Sequence, residues 1–123
     1  MKFLKFVVAA LIAVFATTSL SACSTEPTVD VSAYAAVIDV RTPEEWSEGR
    51  LEGAVRMGIA DADFTAQLAT LDPSKDYYIY CRSGNRAGQA IDFMRQNGFT
   101  GELVNGGSVA NAAGQTGLAV VTD

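Results

Sequence analysis

Two residues of the chain carry a nucleophilic sulfur, Cys23 and Cys81, and there is no histidine. Without an imidazole base, Cys–His protease and thiolase mechanisms are excluded. Metal sites lose their commonest ligand, and no cysteine cluster replaces it. A catalytic thiol here must therefore draw its activation from backbone and fixed charge. Cys81 has the surroundings for that. It ends the run Tyr77-Tyr78-Ile79-Tyr80, which reads as a buried strand, and precedes Arg82-Ser83-Gly84-Asn85-Arg86. Ala87, Ala90, Ile91 and Met94 then recur at i, i+3, i+4 and i+7, one face of a helix. A sulfur at the carboxyl end of a strand, ahead of a tight loop and a helix N-terminus, lies where orphan N–H groups and the helix dipole favour an anion. The same field favours thiolate over thiol. Arg82 and Arg86 add permanent positive charge, and Gly84 permits a curled backbone.

The elements that must hold this loop follow from pattern. Ala36-Val37-Ile38-Asp39-Val40 is a near-continuous β-branched run, typical of a buried parallel strand. Thr42, Pro43 and Glu45 make a capping box opening a short helix. Gly49 and Gly53 allow a turn into a short strand around Ala54 to Met57. Asp61 to Leu71 reads as an amphipathic helix stopped by Asp72-Pro73. The helix after the cysteine loop ends near Asn97-Gly98, Glu102-Leu103-Val104 is a last strand, and Asn105-Gly106-Gly107 is a turn. Val29 to Tyr34 is weakly patterned and is read as a short edge strand with a turn. This order specifies an α/β domain with a mostly parallel central sheet flanked by helices, its catalytic loop at the carboxyl ends of the strands.

Cys-Arg-Ser-Gly-Asn-Arg-Ala after a short apolar strand resembles the active-site loop of the rhodanese family of sulfurtransferases. Upstream, Asp39-Val-Arg-Thr-Pro-Glu-Glu-Trp46 resembles a second signature of that family, and the likeness spans roughly Val37 to Val121. It implies a small rhodanese-like domain in which Cys81 takes sulfane sulfur from thiosulfate or a persulfide donor and carries it as a persulfide. It puts the cradle on Arg82, Ser83, Gly84, Asn85 and Arg86, gives Asp39 and Arg41 a bracing role, and calls for no cofactor and no metal. The acceptor would be a thiol or cyanide. Departures from the pattern are Arg50 where histidine is common, Leu51 for isoleucine, and Asn111 near the place of a tryptophan. Two other readings stay open: a non-catalytic module for partner binding or redox sensing, and a cysteine-dependent phosphatase. The phosphatase loop needs five residues between cysteine and arginine, and only four separate Cys81 from Arg86.

The start of the chain sets the expected address. Lys2 and Lys5 precede an uncharged apolar stretch from Phe6 to Ala16, then Leu20-Ser21-Ala22-Cys23. Basic start, short apolar core and small residues before a cut are a secretory signal, too short to be a spanning helix. The last four residues resemble a bacterial lipobox. Residues 1–22 are thus expected to be removed, 23–28 to form a lipidated tether, and 29–123 to form the domain. Acylated Cys23 would anchor the exported protein to a bacterial membrane, on its periplasmic or cell-surface side. Cys81 would then have no disulfide partner in the chain. The mature 101 residues suit one domain, expected to be monomeric. With Lys2 and Lys5 gone, seven basic residues face 14 acidic ones, which argues against nucleic acid and against electrostatic adsorption to anionic lipid.

Overall fold

A computed structural model describes residues 27–123; the signal segment and Cys23 lie outside the described residues. Strands β1 (Ala36–Asp39), β3 (Val55–Arg56), β4 (Tyr77–Tyr80) and β5 (Leu103–Asn105) form one parallel sheet in the order β3-β1-β4-β5. β4 pairs along its whole length with β1, Ala36 opposite Tyr77 through Asp39 opposite Tyr80, and has β5 on its other side. Two short strands, β2 (Arg50–Leu51) and β6 (Val120–Val121), form a separate antiparallel pair that ties the chain end to the middle.

No residue of β4 reaches solvent. Because side chains alternate across a strand, its residues divide between two cores. Tyr77, Ile79 and Cys81 pack with Phe64, Leu68, Ala87, Ala90 and Met94, from helices α2 (Phe64–Leu68) and α3 (Asn85–Gln96). Tyr78 and Tyr80 face Val37, Leu51 and Ala112, the last from α4 (Val109–Thr116). Full burial of side chains such as Ile38, Ile79 or Met94 contributes about 1.5–3 kcal/mol each. Two of the tyrosine hydroxyls in this strand find partners at the far side of the second core. Tyr78 donates to Gln115 Oε1 (2.7 Å), and the Tyr80 oxygen accepts the Leu51 N–H (3.0 Å).

The first helix, α1 (Pro43–Glu48), opens with the expected capping box: Thr42 Oγ1 accepts the Glu45 N–H, and Glu45 accepts the Thr42 N–H. Three expectations need correction. Residues Val31–Ala33 form a 3-10 turn instead of an edge strand, because the Asp30 carboxylate captures the Ser32 N–H and hydroxyl (3.0 and 2.6 Å). The helix read over Asp61 to Leu71 contracts to Phe64–Leu68, with turns on either side: Asp61 accepts from Arg56, and the Thr70 hydroxyl bonds back to the Gln67 carbonyl (2.6 Å). The helix Val109–Thr116 was not expected from pattern. Ser108 caps it by accepting the Asn111 N–H (3.1 Å), and Gly117 ends it in the left-handed region.

Charge is buried where β1 ends. Asp39 is fully buried, and Arg41 is 5% exposed. Arg41 donates from Nε and Nη2 to the Asp39 carboxylate (3.0 and 2.8 Å) and from Nη2 to the Gly49 carbonyl. Asp39 also accepts the Arg41 backbone N–H (2.8 Å). The arginine thus joins the end of β1 to the end of α1. Removing one member strands a buried charge, at a cost of about 3–5 kcal/mol. Arg41→Met, which keeps bulk, should lower the urea-unfolding free energy by that amount. Loss below about 1 kcal/mol would show that the pair is not what fixes this corner.

Candidate active site

Cys81 follows β4 directly and is completely buried. Its N–H donates to the Gly107 carbonyl (2.9 Å), so the β4–β5 ladder runs one step past the strand end. Its Sγ accepts the Gly84 N–H at 2.8 Å. That contact requires the chain to turn back on itself within three residues, and Gly84 does so with φ of +93°, in the left-handed region where a side chain is strained. Gly84 is also the N-cap of α3. It offers no capping side chain, whereas the helix beginning at Pro43 is capped by Thr42 and that at Val109 by Ser108. As a result, the N–H groups of Arg82, Ser83, Asn85, Arg86 and Ala87 find no acceptor among the described residues. Five unpaired donors and one that already meets the sulfur thus lie on the six consecutive residues that follow the thiol in the chain.

The flanking charges are arranged unequally. Arg86 gives both guanidinium nitrogens to Glu45 of α1, Nη1 to Oε1 and Nη2 to Oε2, each at 2.8 Å. Glu45 thus serves the capping box and the arginine together. The Arg86 hydrogen bonds hold its carboxyl at about 2, far below the usual carboxylate range, with the Thr42 contacts lowering it further and burial opposing. Arg82 is exposed and has no acidic partner among the described residues. Asp39 and Arg41 lie one strand over, with Asp39 in register with Tyr80, and make no hydrogen bond or ion pair with residues 82–86. Arg50, at the position where the family favours histidine, stacks 4.6 Å over Trp46 and donates to Asp123 (2.6 Å).

Three residues at this site had no functional reading in the sequence. Glu45 was visible only as a helix cap. Asn105 donates from Nδ2 to the Gly84 carbonyl (2.9 Å) and accepts the Gly107 N–H (2.9 Å). Asn111 donates to the Gly106 carbonyl (2.7 Å). A polar residue beside the Gly106-Gly107 turn was the available signal, but its partner across the site, Gly84, is 21 residues away in the chain.

The rhodanese-like domain profile matches residues 24–112, well over half the chain. The chain belongs to the rhodanese-like domain family. The match reaches further upstream than Val37, where the sequence resemblance began, and stops short of Val121. YtwF of Bacillus subtilis is 40% identical over 76 residues, covering 60% of this chain and 70% of its own length. The thiosulfate sulfurtransferase PspE of Escherichia coli is 28% identical over 76 residues, covering 62% of this chain and 72% of its own. A rhodanese-like domain of the Anabaena Alr3790 protein superposes with a TM-score of 0.61 at 26% identity, over 72% of this chain and 92% of that one. The parallel sheet with helices on both faces is therefore the rhodanese-like architecture.

The Glu45–Arg86 pair makes an acid-stability prediction. A carboxyl whose pKa is depressed on folding stabilises the protein above its unfolded value, and that stability drains as pH falls through the folded value. The contribution should be complete above about pH 4.5 and lost on descent toward about pH 2. Solvent screening at this partly exposed pair limits it to about 1–2 kcal/mol. Glu45→Gln should flatten the acid limb of thermal stability between those limits; an unchanged limb would sink the assignment.

Proposed function

We propose that this rhodanese-like domain is a sulfurtransferase that moves sulfane sulfur from thiosulfate or a persulfide donor to a thiophilic acceptor through a persulfide on Cys81. The observation carrying this reading is the Gly84 N–H on the Cys81 sulfur, within a run from Arg82 to Ala87 whose other N–H groups have no acceptor among the described residues. Such donors stabilise an anionic sulfur without a proton acceptor, which suits a chain lacking histidine. In the first step the Cys81 thiolate attacks the outer sulfur of thiosulfate. The new S–S bond forms as the old one breaks, and sulfite departs with the electron pair. In the second step cyanide or a thiolate attacks the outer sulfur of the persulfide, and the Cys81 thiolate is the leaving group. No net electron or external oxidant is needed. Names among the relatives support the sulfur chemistry, since PspE is named a thiosulfate sulfurtransferase.

The two loop arginines are assigned different parts. Arg86 is held by Glu45 and braces α3 against α1; Arg82, without an acidic partner, guides the anionic donor. Incubation with thiosulfate should add one sulfur mass to Cys81, and Cys81→Ser should abolish both adduct and turnover. In the same assay Arg82→Gln should raise the thiosulfate KM about 2- to 10-fold, from roughly 0.5–1.5 kcal/mol for a solvated charge contact. The maximal rate and Tm should hold. A wild-type domain that takes no sulfur from thiosulfate or any small persulfide would favour the binding or redox-sensing module.

The chain is further proposed to be an exported lipoprotein acylated on Cys23, on the strength of Leu20-Ser21-Ala22-Cys23 after a short apolar core. Each buried acyl methylene contributes about 0.8 kcal/mol, so several chains hold the protein without a basic patch. Cys23→Ser should release the protein from the membrane fraction or stall its processing. Unmodified Cys23 in a soluble, exported wild-type protein overturns the anchor.

A further inference from the structure

The Gly106–Gly107 peptide unit is held at both ends by side chains. Its carbonyl accepts Asn111 Nδ2 (2.7 Å), and its N–H donates to Asn105 Oδ1 (2.9 Å). The next carbonyl, that of Gly107, takes the Cys81 N–H (2.9 Å). The other end of the Asn105 amide reaches across to the Gly84 carbonyl (2.9 Å), which also closes the first turn of α3 with the Gly88 N–H (3.0 Å). The orientation of the Asn105 amide follows from its partners. Turned over, it would set oxygen against the Gly84 carbonyl and N–H against the Gly107 N–H. The two loops also touch, since a Cβ on Gly84 would lie 3.3 Å from the Gly107 Cα. Gly107 itself has φ of +74°, in the left-handed region that favours glycine.

A trans peptide points its C=O and N–H in opposite directions. Holding the Gly84 carbonyl outward on Asn105 therefore turns the Asn85 N–H away from Asn105, out of the α3 N-terminus. Holding the Gly106–Gly107 peptide places the Gly107 Cα, and the carbonyl of the next peptide unit, that of Gly107, anchors the Cys81 backbone. One amide side chain thus ties the loop after Cys81 to the turn that holds the Cys81 N–H. We propose that Asn105 is a positioning residue for sulfur transfer, assisted by Asn111, that keeps the Cys81 loop in a fixed orientation against the Gly106–Gly107 turn. The inference rests on the sulfurtransferase reading for its catalytic consequence and on geometry alone for its effect on the loop.

The test uses single-turnover sulfur loading from thiosulfate beside alkylation of Cys81 by neutral iodoacetamide, under conditions where each variant is folded. In Asn105→Ala the maximal loading rate should fall about 10-fold while the half-saturating thiosulfate concentration stays put. Alkylation of the buried thiol should meanwhile quicken about 3- to 10-fold as the loop loosens. Asn105→Asp keeps the acceptor for Gly107 but loses the donor to Gly84, and should show the same slowing. Asn111→Ala, which frees one end of one peptide, should slow loading about 3-fold. Loss of stability alone cannot produce slower loading together with faster alkylation in a folded protein. Wild-type loading and alkylation rates in Asn105→Ala, or a change confined to the half-saturating concentration, overturn the proposal. If the wild type itself takes no sulfur, the sulfurtransferase reading fails and the alkylation rates alone decide the clamp. If neither Asn105 variant folds, hydrogen exchange in the wild type decides: at least 100-fold protection of the Gly107 amide supports the clamp, and exchange as fast as an open loop overturns it.

Discussion

All four strands of the main sheet run in one direction, so their carboxyl ends meet along a single edge that loops must close. That constraint organises the molecule. The hydrogen-bond ladder does not stop where the strands do. Val40 N–H reaches the Tyr80 carbonyl (3.2 Å), Met57 N–H the Asp39 carbonyl (2.8 Å), Gly106 N–H the Ile79 carbonyl (2.7 Å), and Cys81 N–H the Gly107 carbonyl (2.9 Å). Each loop is thereby stapled to its neighbour at the moment it leaves the sheet. Because β4 is buried on both faces, it has no slack to shift its register. Cys81 inherits that rigidity, and the loop beyond it can be built from backbone groups whose directions are already set.

Charge at this edge is mostly spent on structure. Asp39 is neutralised by Arg41 and Glu45 by Arg86, which leaves Arg82 as the loop cation without an acidic partner among the described residues. An acidic protein that captures a dianion needs a local field strong enough to offset its own repulsion. The offset is eased by distance: at physiological salt, exposed charges more than about 8 Å away are largely screened. The Gly84 N–H, 2.8 Å from the Cys81 sulfur, is not. On the proposed reading, backbone dipoles would decide whether an anion is held, and Arg82 would affect how often one arrives.

Much of this was legible in the residues. The continuous β-type run Tyr77 to Tyr80, the β-branched run through Ile38, the capping box at Thr42 and the glycine-stopped helix at Asn97-Gly98 all carry local signals, and local signals survive folding. The failures have a common cause. Asp30 and Ser32 satisfy one another through side chains, so Val31–Ala33 coils where its composition pointed to a strand. The helix Val109–Thr116 is rich in alanine, glycine and asparagine, and its weak periodicity hides that Ala112 and Thr116 are its buried positions. At the candidate site, the run from Cys81 to Arg86 was singled out by residue type and spacing, while Glu45, Asn105 and Asn111 were not. Each acts through a partner distant in sequence or through a backbone group, and neither leaves a mark in residue spacing.

The geometry also bears on the phosphatase alternative to the proposed sulfur chemistry. A phosphatase of related design needs an arginine whose planar fork is presented to the phosphate oxygens. Arg86 is one residue too early for that loop, and both arms of its fork are already committed to Glu45 at 2.8 Å. Turning the fork inward would break two charge-assisted hydrogen bonds and leave Glu45 without its cation. The loop cannot widen instead, because Gly84 already lies against Gly107 and the adjoining Gly106 has the Tyr78 ring where a Cβ would be, at 2.5 Å. The loop is therefore bounded on one side by the Gly106–Gly107 turn, itself backed by Tyr78, and on the other by an ion pair. A single sulfur on Cys81 asks only for N–H groups and a small space, and those are what this edge of the sheet supplies.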